Sequence, residues 1–142
     1  AALFVAVGGL ESSGLLNWLA EDITGLANQN LLLTGVILIW VSALLSAAVD
    51  NVPFTIIMIP IILDLGATGV NITPLWWALA LGAGFGGNGT PIGSTANIVT
   101  VSVSEKTASP ITAKIWLKTG MPVMVATCTV GTILYVLTFR FM

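Results

Sequence analysis

The segment Ala47-Ala48-Val49-Asp50-Asn51-Val52-Pro53-Phe54 places one carboxylate between two apolar stretches. Residues 23–49 before it and 51–63 after it contain no charged side chain. An ionised Asp at the centre of a membrane helix costs about 2.5–3.5 kcal/mol on insertion scales, so such residues are rare and usually functional. Pro53 cannot continue a preceding helix because it lacks the backbone N–H. The segment therefore predicts a helix break that carries a buried Asp.

The composition indicates that lipid is the solvent of this chain. Of its 142 residues, 56% are hydrophobic and only 7% are charged, whereas a soluble domain carries about 25% charged residues. We therefore expect an all-α integral membrane protein whose main partner is the lipid bilayer. The net charge is −2 and no basic run occurs, so nucleic acid is not an expected partner.

The same composition argues against an enzyme. The chain has no His and a single Cys, Cys128, so it offers almost no ligands for zinc or haem and no internal disulfide. A nucleophile–base pair for covalent catalysis is also absent from the sequence. We expect no enzymatic activity and no cofactor other than a coupling ion.

Residues 31–63 are interpreted as a re-entrant helical hairpin with its tip near 50–53. Residues 31–49 could cross about 28 Å as a helix. The return limb, taken as residues 52–63, has 12 residues and covers only about 18 Å, less than the ~30 Å of hydrocarbon. The alternative is an ordinary loop in the headgroup region, with Asp50 as an unused charge that snorkels to the surface.

Residues 74–104 are interpreted as a discontinuous membrane helix. Thr73 is the expected N-cap, with Pro74 in the first turn. Residues 82–93 contain six glycines and Pro91, a composition that strongly disfavours a regular helix interior. Unwound backbone at membrane depth survives only where it lines a cavity enclosed by protein, so the break is expected to lie near the middle of the membrane.

The remaining segments complete a multi-pass topology. Residues 1–10 are expected to end a membrane helix, 11–20 to form an interfacial helix, and 115–140 to form the final membrane helix. Three of the four basic residues fall in 105–118, so the positive-inside rule places this loop in the cytoplasm. Because the sequence opens within an apolar helix, we expect it to be a fragment of a longer protein.

The candidate site combines the hairpin tip with the broken helix. An intramembrane carboxylate defaults to a functional hypothesis, and half-helix ends expose free N–H and C=O groups that suit ions. The short polar side chains beside these ends are the expected ligands, with helix capping as the alternative role: Asp50, Asn51, Asn88, Thr90, Ser94, Thr95 and Asn97. The pattern Gly82-x-Gly84-x-x-Gly87 matches a dinucleotide fingerprint, but the strand and βαβ context that it needs are missing.

Three segments resemble the ArsB/NhaD and P-protein type permeases, a citrate-transporter-like branch of the ion transporter superfamily. Residues 46–60 resemble the hairpin tip of this family, 75–99 its second signature, and 7–20 also fit. The resemblance implies an inverted-repeat transporter in which this chain is most of the C-terminal repeat. Its implied partners are the N-terminal repeat of the same protein and a second copy in a homodimer, and its implied location is the bacterial inner membrane.

The resemblance also implies a function. Related dicarboxylate carriers have Ser-Asn-Thr, which binds sodium and a substrate carboxylate, where this chain has Asp50, Asn51 and Val52. Only the Asn is kept, and the Asp adds a titratable group. We expect a secondary active transporter of a small anion, arsenite-like or citrate-like, coupled to H⁺ or Na⁺. The expected Na⁺ ligands are Asn51, Asn88, Thr90 and Asn97. A Na⁺/H⁺ antiporter and a passive anion channel are the alternatives.

Overall fold

The described part of the chain is built from helices. A computed structural model describes residues 30–142 and Gly25, so the helices expected at 1–10 and 11–20 lie outside the described residues. The described residues contain no strand, which confirms the all-α fold. The helices are α1 (Leu31–Ala48), α2 (Asn51–Ala67), α3 (Thr73–Gly86), α4 (Thr95–Ser104) and α5 (Ala113–Thr138), with short 3₁₀ turns at Gly87–Gly89 and Phe139–Phe141.

Four of the five helices begin at a side chain that caps them. Asn30 accepts a hydrogen bond from the Leu33 N–H at 3.1 Å, and Asp50, Ser94 and Thr112 cap α2, α4 and α5 in the same way. Each cap satisfies one of the N–H groups that a helix leaves free in its first turn. The polar residues between the apolar stretches therefore fix where the helices start.

Helix α3 departs from the expected start. Thr73 is its first residue rather than its N-cap, and Ile72 occupies the cap position without a side-chain hydrogen bond. The Thr73 N–H is instead bound by Asn71 Oδ1 at 3.1 Å. The expected cap at Thr73 was wrong because Asn71 supplies the acceptor from two residues upstream.

The membrane character of the fold follows from its helices. Helix α1 and the helical segment Ala113–Phe141 are each long and apolar enough to cross a membrane. Most side chains of α5 are exposed, and the large ones among them are mainly aliphatic. Since water would not tolerate such a surface, lipid or other membrane-embedded protein must cover it.

The chain breaks between α1 and α2 and turns back. Val49 and Asp50 leave the helical conformation, with ψ angles of 142° and 137°. Pro53 lies in the first turn of α2, where a missing N–H costs little. The break therefore precedes Pro53, and of the expected tip at 50–53 only Asp50 lies outside the helices.

Helix α2 is longer than the sequence indicated. It continues through Asp64 and Gly66 to Ala67 and has 17 residues, a length of about 25 Å. Asp64 is exposed near the end of the helix, and a Cβ at Gly66 would lie 2.9 Å from Ile72 Cδ1. Neither residue ends the helix. The predicted return limb of 12 residues was wrong. The length of α2 therefore does not support a re-entrant hairpin.

Helices α1 and α3 run parallel at close range. Gly82 packs against Ile39 and Ser42, and Gly86 packs against Ala43. Small residues let helix backbones approach in this way within membranes. The expected unwinding at 82–93 was therefore too long, because the helix continues through Gly86, where the glycines provide room for α1.

Helix α5 runs antiparallel to α1 and α3. Its contacts show which part of α5 lies beside the hairpin tip. A Cβ at Gly89 would lie 2.7 Å from Met124 Sδ and 3.3 Å from Ala47 Cβ, and Gly35 lies against the Tyr135 hydroxyl. Met124 is 11 residues from the start of α5 and 14 from its end, or about 17 Å and about 21 Å. The end of α1 therefore lies level with the middle of α5.

Candidate functional site

The hairpin tip between α1 and α2 meets the break between α3 and α4. Four helix ends therefore lie close together. Helices α1 and α3 bring their carboxyl ends, and α2 and α4 bring their amino ends. Hydrogen bonds join Ser46 to Ala83, Ala47 to Thr90, and Asp50 to Thr95 across the gap. Helix amino ends carry partial positive charge and carboxyl ends carry partial negative charge. This arrangement provides positive and negative partial charges within one site.

Asp50 lies between the two amino ends. It is 3% exposed, and its Oδ1 accepts the Val52 N–H of α2 at 3.1 Å. Its Oδ2 accepts the hydroxyl of Thr95, the first residue of α4, at 2.5 Å. Asp50 is the one buried charged residue among those described. The other charged residues there are exposed: Asp64, Glu105, Lys106, Lys114, Lys118 and Arg140.

The carboxyl ends are closed by hydroxyl groups from the opposite element. The Ser46 hydroxyl of α1 donates to the Ala83 carbonyl of α3 at 2.8 Å. In return, the Thr90 hydroxyl donates to the Ala47 carbonyl at 2.5 Å. Carbonyls in the last turn of a helix lack the usual partner within that helix. The Thr90 bond supplies one to Ala47, while the Ser46 bond adds a second donor to Ala83, which also accepts the Gly87 N–H. Both bonds hold the hairpin against the broken helix.

The break between α3 and α4 is held by side chains of α4. Asn97 Nδ2 donates to the carbonyls of Gly87 and Thr90, at 2.8 Å and 3.0 Å. Ser94 caps α4 by accepting the Ala96 N–H at 3.3 Å. Five of the predicted site residues thus lie together around the break, and each uses at least one polar atom in a protein hydrogen bond. They are Asp50, Thr90, Ser94, Thr95 and Asn97.

The other two predicted residues differ in their surroundings. Asn51 is partly buried beside Asp50, and its side chain makes no hydrogen bond to the residues that the structure describes. Asn88 is exposed and lines a separate, largely apolar cavity of about 330 Å³ next to Trp116 and Gly120 of α5. The Trp116 Nε1–H donates to the Asn88 carbonyl at 3.1 Å. Asn88 thus belongs to the contact with α5, and whether any of the seven residues binds an ion stays a prediction.

Ser46 was missed by the sequence reasoning. It is fully buried, and its hydroxyl links the hairpin to α3. A hydroxyl one turn before a predicted helix break was the available indication, since such residues often bond to nearby carbonyls.

The polar groups at the site favour protons and hard cations as bound ions. No cluster of three or more His, Cys, Asp or Glu residues occurs in the described part of the chain. The polar atoms around the break are hydroxyl, carbonyl and amide groups and one carboxylate. Oxygen atoms of this kind suit protons and hard cations rather than soft metals.

Comparison with known families agrees with this architecture. The sequence model of the citrate transporter family, CitMHS, matches residues 1–82, more than half of the chain. The chain belongs to the citrate transporter family. This result confirms the resemblance seen in the sequence and places the protein among membrane transporters.

Curated relatives of this citrate transporter family member include P proteins and uncharacterized transporters. The P protein of Homo sapiens is 40% identical over 92% of this chain, which covers 17% of that protein. An uncharacterized transporter of Mycobacterium tuberculosis is 41% identical over 78% of the chain and 27% of the relative. One from Synechocystis is 31% identical over 87% of the chain and 31% of the relative. The chain thus spans less than a third of these relatives. No solved structure matches it significantly.

Proposed function

We propose that this chain forms one half of a secondary active transporter that moves a small anion, citrate-like or arsenite-like, in a step coupled to H⁺ or Na⁺. The observation that carries the proposal is Asp50, a buried carboxylate between the amino ends of α2 and α4. The family supports the transporter class. The remaining half of the site would come from the N-terminal repeat of the same protein.

The position of Asp50 suggests how coupling would work. Two helix amino ends attract negative charge, and the Asp50 carboxylate accepts the Val52 N–H of α2 and the Thr95 hydroxyl of α4. A proton or Na⁺ bound to Asp50 would cancel its charge and leave the two amino ends free to attract an anion. Cation and anion would then bind together, which is the condition for symport.

The proposed membrane arrangement follows from the helix directions. Helices α1 and α2 would re-enter the membrane from one side, because their tip lies level with Met124, near the middle of α5. The loop at 105–118 would face the cytoplasm of a bacterial cell, since it carries three lysines.

Uptake by reconstituted protein tests the proposal. The full-length transporter containing this chain would be placed in proteoliposomes, with labelled citrate or arsenite outside and a pH or Na⁺ gradient imposed. Asp50→Asn removes the charge but keeps a good N-cap. Asp64→Asn is the matched control, because Asp64 is exposed on the same helix.

The unmodified protein and Asp64→Asn should accumulate anion only when the gradient is present, and Asp50→Asn should lose this dependence. Equilibration without accumulation would indicate a passive channel. Gradient-driven Na⁺/H⁺ exchange that ignores the anion would indicate an antiporter. Wild-type coupling in Asp50→Asn would refute the role of Asp50.

A further inference from the structure

The Asp50 carboxylate is held by two hydrogen bonds from different parts of the chain. One comes from the Val52 N–H, two residues away. The other comes from the Thr95 hydroxyl, 45 residues away. A local cap alone fixes one oxygen and leaves the carboxylate plane free to turn. The second bond fixes the other oxygen, and with it the direction of the remaining lone pairs.

The Thr95 bond has the features of a strong interaction. The Thr95 hydroxyl donates to Asp50 Oδ2 at 2.5 Å, within the range of about 2.5–3.0 Å for hydrogen bonds between oxygen atoms. Asp50 is 3% exposed, and a hydrogen bond is electrostatically stronger in such surroundings than in water. Removing the donor would leave a buried oxygen without its partner, which is a costly change.

Thr95 lies between two residues, Ser94 and Asn97, whose side chains bond to the backbone around the break. Ser94 caps the helix immediately before it, and the Asn97 side chain bonds two carbonyls of the break. Thr is also β-branched, which restricts its side chain to few rotamers. Thr95 is exposed whereas Asp50 is buried, so their hydrogen bond is only partly buried.

We propose that Thr95 is a positioning residue that orients the Asp50 carboxylate for Na⁺ as the coupling cation. The inference rests on the proposed function, in which Asp50 receives that cation. Preorganised ligands bind more tightly because little ordering remains to be done on binding. Loss of the Thr95 hydroxyl should therefore weaken Na⁺ binding without changing the number of charged groups at the site.

Thermal unfolding of the full-length protein in detergent tests this inference without a known substrate. The unfolding midpoint would be recorded during a NaCl titration at fixed pH, because a ligand that binds the folded state raises the midpoint. The variants are Thr95→Val, Thr95→Ser and Asp50→Asn. Thr100→Val is the matched control, since the Thr100 hydroxyl bonds only the Ala96 carbonyl within α4.

Thr95→Val should need about tenfold more Na⁺ for half of the effect, the change expected for loss of about 1.4 kcal/mol. Thr95→Ser should restore the wild-type response, and Thr100→Val should not alter it. Asp50→Asn should abolish it.

Two results would overturn the inference. If Asp50→Asn abolishes the response but Thr95→Val keeps the wild-type half-point, Thr95 does not position Asp50, although the proposed function stands. Thr95 is likewise excluded as a positioning residue if Thr95→Val only lowers the midpoint by the same amount at every cation concentration, because that pattern indicates a purely structural role. A wild-type response in Asp50→Asn would overturn the inference and the proposed function together.

Discussion

The substitution Gly86→Ala tests the close packing of α1 against α3, which brings the hairpin to the helix break. A Cβ added to Gly86 would lie 2.5 Å from Ala43 Cα and closer still to the Ala43 carbonyl oxygen. These are backbone atoms in the middle of α1, so no side-chain rotation can relieve the overlap, and the helices must separate. Overpacking of this kind typically costs about 1–3 kcal/mol, and the rigidity of both partners favours the upper part of that range.

Gly84 provides the matched control on the same helix. Nothing lies within 4 Å of a Cβ placed there, so Gly84→Ala gains only the helix propensity of Ala, about 1 kcal/mol. Gly86→Ala gains the same propensity and adds the clash. The difference between the two variants therefore isolates the packing effect, and Gly86→Ala should be the less stable by about 1–3 kcal/mol.

The free energy of unfolding of the full-length protein, measured by denaturant titration in mixed micelles, gives this difference. Transport should fall in Gly86→Ala as well, because separating α1 from α3 also stretches the Ser46–Ala83 bond at the site. Equal stability of the two variants would refute the close approach of α1 and α3.

Two further predictions concern single hydroxyl groups. The Tyr135 hydroxyl is buried without a hydrogen-bond partner among the described residues, so Tyr135→Phe should keep or raise the unfolding free energy, by up to about 1 kcal/mol; a clear loss would reveal a partner for the hydroxyl. The Thr90 hydroxyl satisfies the Ala47 carbonyl, so Thr90→Val should destabilise the protein by about 1–3 kcal/mol, whereas Thr90→Ser should not, and equal behaviour of the two variants would contradict the bond.

The helix breaks were predictable because their causes are local. The Asp50-Asn51-Val52-Pro53 sequence carries its own cap and its own proline, and the cap bond links residues only two positions apart. The glycine-rich stretch was recognised as a break for the same reason. Its extent was overestimated, since the sequence does not show that Gly82 and Gly86 face α1. That fact depends on the packing of two helices about 40 residues apart in the chain.

The site was predicted as a set of residues but not as a network. Composition identified the polar side chains near the breaks, and the structure brings five of the seven together. Which hydroxyl meets which carbonyl depends on the relative placement of the hairpin and the broken helix. The bonds of Thr90 and Thr95 each join residues more than 40 positions apart, and no local pattern encodes them. Asn88 was grouped with the others because it is near in sequence, although its carbonyl bonds Trp116 of α5.

The central claim is that the chain turns back at Asp50, so that both ends of the hairpin lie on one side of the membrane. Single cysteines at Asn30, Ala67 and Ser109, all exposed positions, would be placed in full-length protein lacking its native cysteines, with Cys128→Ala among the changes. An impermeant thiol reagent would then be applied to sealed cells and to inverted vesicles. The hairpin predicts that positions 30 and 67 react from the same side and position 109 from the opposite side. Reaction of positions 30 and 67 from opposite sides would contradict it.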